Sequence, residues 1–238
     1  MLDVHPPHAP THGWRDFFIH IATIVVGLLI AVGLEQTVEH FHERRQLREL
    51  RRGAITDARI YLHDVDQLRA VNAQQIEDLS ARVRQVQQAM AQHHAPVPPT
   101  YRPLPYTNTI RLGNLNAAKT SGLIHLFSED EITSIGDAEV AVVKSEALKE
   151  RAQEAARRRM AFEQRFQPEY LAGTFNFSSI TPSQLDEYLS LLLAERVNRQ
   201  EFLDYLDVMH RGGEAYLNGE RDLERLREAE FGSLPSPK

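Results

Sequence analysis

The chain has 238 residues, a formal net charge of -6 and no cysteine. The lack of cysteine excludes disulfides, thiolate metal sites and cysteine nucleophiles. The acidic balance argues against nucleic acid as the main partner, because phosphate binding calls for a basic face.

Residues 1–16 read as a disordered tail, with His5, His8 and His12 among prolines. Residues 17–34, FFIHIATIVVGLLIAVGL, carry no formal charge. At the helical rise this run spans about 27 Å, close to the hydrocarbon thickness of a bilayer. Trp14 and Arg15 precede it, where an interfacial aromatic and a snorkelling cation belong. Three readings compete: a transmembrane anchor, a cleaved signal peptide ending near Ala31-Val32-Gly33, and a buried core helix. The length and the weakly basic flank favour the anchor over the signal peptide. The lack of a polar side disfavours a core helix. Thr23, Gly27 and Ala31 lie at i, i+4 and i+8, a stripe of small residues that lets two membrane helices approach closely. His20 falls one turn inside the run and reads as an interfacial histidine.

Residues 35–92 contain no proline and one glycine, Gly53, which is expected to mark a bend. Apolar residues recur at steps of three and four: Leu47, Leu50, Ala54, Ala58, Leu62, Val65, Leu68, then Ile76, Leu79, Val83, Val86 and Met90. This is the pattern of a long amphipathic or coiled-coil helix. Arg44, Arg48 and Arg52 share one face and are candidates for contact with anionic lipid headgroups. With Arg45 and Arg51 they also tilt the positive-inside balance towards a cytoplasmic C-terminal domain, although Glu35, Glu39, Glu43 and Glu49 interleave with them.

Residues 93–109 hold five prolines and read as a linker or a loop at the bundle tip. Residues 110–231 form the helical remainder. A short helix over about Asn114 to Ser121 is closed by Gly122. Ser128 and Glu131 form a capping box that opens a helix running to Gln167, with Ile132, Ile135, Val142, Ala155, Phe162 and Phe166 on its core face. Thr181-Pro182-Ser183-Gln184 opens the last helix, which Gly212-Gly213 either kinks or splits. Residues 232–238 read as a second disordered tail. Short links between three long helices predict an all-α fold: a transmembrane helix, then a long antiparallel bundle or coiled coil whose helices run out, back and out again.

No catalytic signature is present. The phosphate-binding Gly-x-x-x-x-Gly-Lys-Ser/Thr and the nucleophile Gly-x-Ser-x-Gly patterns are both missing. Glu39-His40-Phe41-His42 contains one Glu-x-x-His, whereas a dinuclear site needs two plus two further glutamates. No catalytic, cofactor or metal residue is therefore assigned. Lys119-Thr120-Ser121-Gly122 is a polar patch that could meet a ligand, and a helix-terminating turn explains it as well. Arg157-Arg158-Arg159 is expected on a solvated face, since consecutive helical residues diverge by about 100°.

The stretch from Trp14-Arg15-Asp16-Phe17-Phe18 through IVVGLLIAVGLEQTVEHFHERR, with Lys119-Thr120-Ser121-Gly122-Leu123 further on, resembles a group of uncharacterised bacterial single-pass membrane proteins. The resemblance is best over the first 50 residues and implies an inner-membrane location and helical architecture. The expected function is a non-enzymatic, membrane-anchored interaction or scaffold protein. Its partners would be the lipid bilayer and either a second copy or another helical protein. A ligand-sensing bundle and a metal-dependent bundle enzyme are the alternatives.

Overall fold

The computed structural model describes residues 13–99, 109–166 and 175–232. Among these there are five α-helices, one 3₁₀ turn and no strand. Helix α1 spans Trp14–Ala91, α2 Gly113–Thr120, the 3₁₀ turn Leu123–Leu126, α3 Glu129–Gln164, α4 Pro182–Leu217 and α5 Leu223–Phe231. The chain divides into two compact units, 1–49 and 50–238.

In the first unit, the most apolar 18-residue window of α1 has a mean hydropathy of 2.6 and none of it is buried. By length and composition this part of α1 can span a membrane. Trp14, Phe17 and Phe18 cluster at its start, with ring centroids 5.3 to 5.9 Å apart.

In the second unit, Val65 of α1, Ala156 and Phe162 of α3, and Tyr188 and Leu206 of α4 are almost fully buried. Each comes from an apolar stripe spaced at three and four residues, which presents one face to the core. Helix α4 runs antiparallel to α1, because Asp66 meets His210, Arg69 meets Asp207 and Arg82 meets Tyr188. It also runs antiparallel to α3, because Arg151 meets Glu201, Arg159 meets Glu195 and Arg165 meets Glu187. Helix α3 is therefore parallel to α1, with Arg51 on Glu131 at one end and Val83 packed in one cluster with Phe162 at the other.

This corrects the expected out-back-out course. The described residues on either side of the proline-rich stretch contact α1 at well-separated points. Val97 accepts a hydrogen bond from Arg82, while Asn114 donates to Asp57, some 25 residues earlier in α1. That separation is roughly 40 Å of helix, and the 17 or so residues between Val97 and Asn114 can reach about 50 Å when extended. Helix α2 is therefore docked near the start of the α1 part of the bundle, and α3 begins from that end.

The helix ends follow from local chemistry. Residue His93 takes a left-handed conformation (φ 55°). The amide of His93 then donates to the Met90 carbonyl and that of His94 to the Ala89 carbonyl, which satisfies the end of α1 as a Schellman motif. Both capping boxes are present: Ser128 with Glu131 opens α3, and Thr181 with Gln184 opens α4. Helix α2 has no capping side chain of its own, since Leu112 stands at its N-cap. Buried Asp57 of α1 supplies one, accepting from the Leu115 amide at 2.8 Å and from Asn114 Nδ2 at 2.7 Å. Helix α1 runs unbroken through Gly53. A Cβ at that position would come within 3.1 Å of the Asn114 Cβ, so the bare backbone is what lets α2 dock.

The core face of α3 also differs in part. Ile135 and Phe162 are buried, but Ile132 is 39% exposed. The carboxylate of Glu131 turns inward to meet Arg51 Nε at 3.0 Å and Nη2 at 3.1 Å, and the next residue, about 100° further round, faces out. Helix α3 ends at Gln164, before the expected Gln167, and α1 begins at Trp14, inside the stretch expected to be a disordered tail; residues 1–12, 100–108 and 233–238 of the tails and linker lie outside the described residues. Helix α4 continues through Gly212-Gly213 as one helix. A Cβ at Gly212 would lie 2.3 Å from Glu230 Oε1, and one at Gly213 would lie 3.3 Å from Tyr61 Cε1. The pair exists so that α5 and α1 can approach α4 closely.

Candidate functional site

The residues singled out in the sequence remain separate from the packed core. Thr23, Gly27 and Ala31 are exposed, and a Cβ at Gly27 would meet nothing within 4 Å. The Thr23 hydroxyl donates to the Ile19 carbonyl at 2.8 Å, so it carries no unmet polar demand. Arg44 and Arg48 are exposed in the first unit, and Arg52 in the second. Lys119 pairs with Glu139 and so ties α2 to α3.

Arg157-Arg158-Arg159 requires a correction. Arg157 and Arg158 are exposed and share Glu154, but Arg159 turns into the bundle. There its guanidinium holds Glu163 at 2.8 Å and Glu195 at 2.6 Å. The other oxygen of Glu195 accepts from Arg199 at 2.9 Å. Arg199 also reaches Asn72 and Gln75 of α1, and Asn72 Nδ2 donates to the Arg199 carbonyl at 2.6 Å. The Tyr188 hydroxyl donates to Glu163 at 2.7 Å and accepts from Arg82 Nε at 3.1 Å. Burial alone would lower the pKa of Arg159, but Glu163 and Glu195 outweigh it and keep the guanidinium charged. These groups form a polar seam through the middle of the bundle. The available signal was the i,i+4 pairing of Arg159 with Glu163 and of Glu195 with Arg199, and a surface reading of that spacing hid it.

Next to the end of the bundle where α2 and α5 sit is a cavity of about 410 Å³. Its walls come from all five helices and are mostly apolar, with Leu115, Ile135 and Met209 among them. Its polar lining comprises the hydroxyls of Tyr61, Ser134, Tyr205 and Tyr216, the acids Asp137 and Glu230, and the cations Lys144 and Arg227. The Ser134 hydroxyl is buried without a hydrogen-bond partner. No hydrogen bond is made among the described residues by the Tyr61 or Tyr205 hydroxyl or by the Glu230 carboxyl. Burial, then the neighbouring charge of Glu230, raises the pKa of both tyrosines. Burial and Asp137 raise Glu230 above its ordinary value of 4.5, against the pull of Arg227.

The charges around Glu230 are engaged elsewhere. Arg227 pairs with Asp137 at 2.9 Å. Arg211 donates to the main-chain carbonyl of Glu230 at 2.7 and 3.1 Å, not to its carboxylate. Lys144 lies over the Tyr205 ring, 4.6 Å from its centroid. Val140 and Phe231, 67% and 60% exposed, mark the open side of the cavity. Nothing in the sequence pattern indicated this site, because its polar groups are scattered over four helices.

The fold and these sites define an all-helical protein with one apolar N-terminal helix able to span a membrane. Comparison with protein-family models, with curated proteins and with solved structures gives no match.

Proposed function

We propose that this chain is a membrane-anchored, non-enzymatic helical protein that works by binding other molecules from a bundle tethered to the bacterial inner membrane. The observation that carries the reading is the apolar run of α1, which lies wholly exposed while the second unit buries an apolar core of its own. Eighteen such residues left in water would be strongly unfavourable, and a bilayer removes that cost. Arg44, Arg48 and Arg52 would meet anionic headgroups on the side where the bundle lies, and the positive-inside balance favours the cytoplasm.

The test is alkaline carbonate extraction of membranes, combined with the intact mass of the extracted chain. Retention in the membrane at full mass is expected. Release into the supernatant, or a mass lacking residues up to Gly33, would overturn the anchor and favour a processed signal segment. Labelling of Gln88→Cys with an impermeant maleimide in intact spheroplasts then reports sidedness. Labelling only after lysis is expected for a cytoplasmic bundle.

A second reading, a ligand-binding bundle, is favoured by the cavity. Its volume falls within the range usual for small-molecule sites, and its unpartnered polar groups could fix the orientation of a guest.

A further inference from the structure

The cavity has an apolar wall and one strongly polar corner. Tyr61 stands on α1, Ser134 on α3, Tyr205 on α4 and Glu230 on α5. The Glu230 carboxyl is half-buried and receives no hydrogen bond among the described residues, so the protein itself compensates it poorly. The Glu230 side chain packs against the bare backbone of Gly212, where a Cβ would lie 2.3 Å from its Oε1. The nearby cations do not compensate it, since Arg227 is bonded to Asp137, Arg211 to a main-chain oxygen, and Lys144 is stacked on Tyr205. Among the described residues none of these cations donates to the Glu230 carboxylate.

We propose that this cavity binds a small apolar amine, its ammonium group donating to the Glu230 carboxylate and to the Tyr61 and Tyr205 hydroxyl oxygens, and its body resting among Leu115, Ile135 and Met209. An ammonium group offers three donors, which matches three acceptors that have none. A carboxylate guest would face Glu230 and Asp137 with like charge and is rejected. A neutral alcohol fills the same space but forfeits the charge-assisted bond. The inference rests on the ligand-binding reading and is independent of the anchor.

The test is calorimetric titration of the full chain in lipid nanodiscs with 2-phenylethylamine, 2-phenylethanol and phenylacetate. The amine is expected to bind, the alcohol to bind roughly tenfold or more weakly, and phenylacetate not to bind. Glu230→Gln should lower amine affinity by roughly tenfold or more and leave alcohol affinity unchanged. Ala138→Leu, which fills the cavity from α3, should abolish binding of both while the thermal transition is retained. Equal affinity for amine and alcohol, or an amine affinity untouched by Glu230→Gln, overturns the amine assignment and leaves a neutral-ligand site. Failure of all three probes to bind, or amine binding that persists in Ala138→Leu, overturns the cavity as the binding site.

Discussion

Glu195 is 2% exposed and holds two arginines, Arg159 and Arg199, from two helices. Replacing it with alanine would leave both guanidinium groups buried beside a single remaining carboxylate, Glu163. Breaking a buried ion pair from one side usually costs about 3–5 kcal/mol, because the partner charge stays desolvated. The expected result for Glu195→Ala is a loss of that order in denaturant unfolding. Glu154→Ala removes a carboxylate that holds Arg157 and Arg158 at the surface, and should leave the transition in place. Equal effects of the two substitutions would show that the seam contributes no more than a surface pair. Arg159 lies next to Arg158 in the chain, yet one is buried and the other exposed. Only the turn of the helix separates their environments.

At the N-terminus of α3, one side chain does two jobs. Glu131 completes the capping box by accepting from the Ser128 amide at 3.0 Å, and it also receives Arg51 from α1. Burial pushes its pKa up, but Arg51 and Ser128 together hold it below the ordinary value of 4.5. The sign follows directly. A carboxylate whose folded pKa is depressed contributes stability at pH above its unfolded pKa, and loses it as pH falls through the folded value. Glu131→Gln should therefore be less stable than the parent at neutral pH, and the two unfolding curves should converge on acidification below about 4.5, the ordinary carboxylate value. A gap of constant size down to strongly acidic pH would assign the loss to packing instead. The neighbouring α2 shows the complementary case: its cap comes from Asp57, more than fifty residues away, because the chain supplies only Leu112 at the position itself.

For the whole molecule, the open question is how many copies assemble. The stripe of Thr23, Gly27 and Ala31 lies on a long apolar run that, among the described residues, is left uncovered. Two bilayer helices that meet through small residues gain backbone-to-backbone packing unavailable to bulkier faces. Gly27→Leu is expected to convert a self-associated species to the monomer in sedimentation in detergent, with the bundle still folded. An oligomer unchanged by the substitution, or a parent chain that is already monomeric, counts against association through this face.

Some features were written locally and could be read locally. The apolar run, both capping boxes, the left-handed Gly122 and the three- and four-residue stripes of α1 and α4 each depend on neighbours within about one helical turn. The parallel course of α3 with α1 depended on something else: at which end of α1 the chain docks when α2 and α3 begin. Local periodicity carries no information on that choice. The polar seam joins residues 72, 159 and 195, and the cavity joins 61, 134, 205 and 230. A buried charge looks the same in sequence as a solvated one until its partner is known. The sequence alone determined an all-helical chain with one membrane-compatible helix. Tertiary packing decided which polar side chains went inside, because only the assembled helices determine where water is excluded and which donors and acceptors are left to find each other.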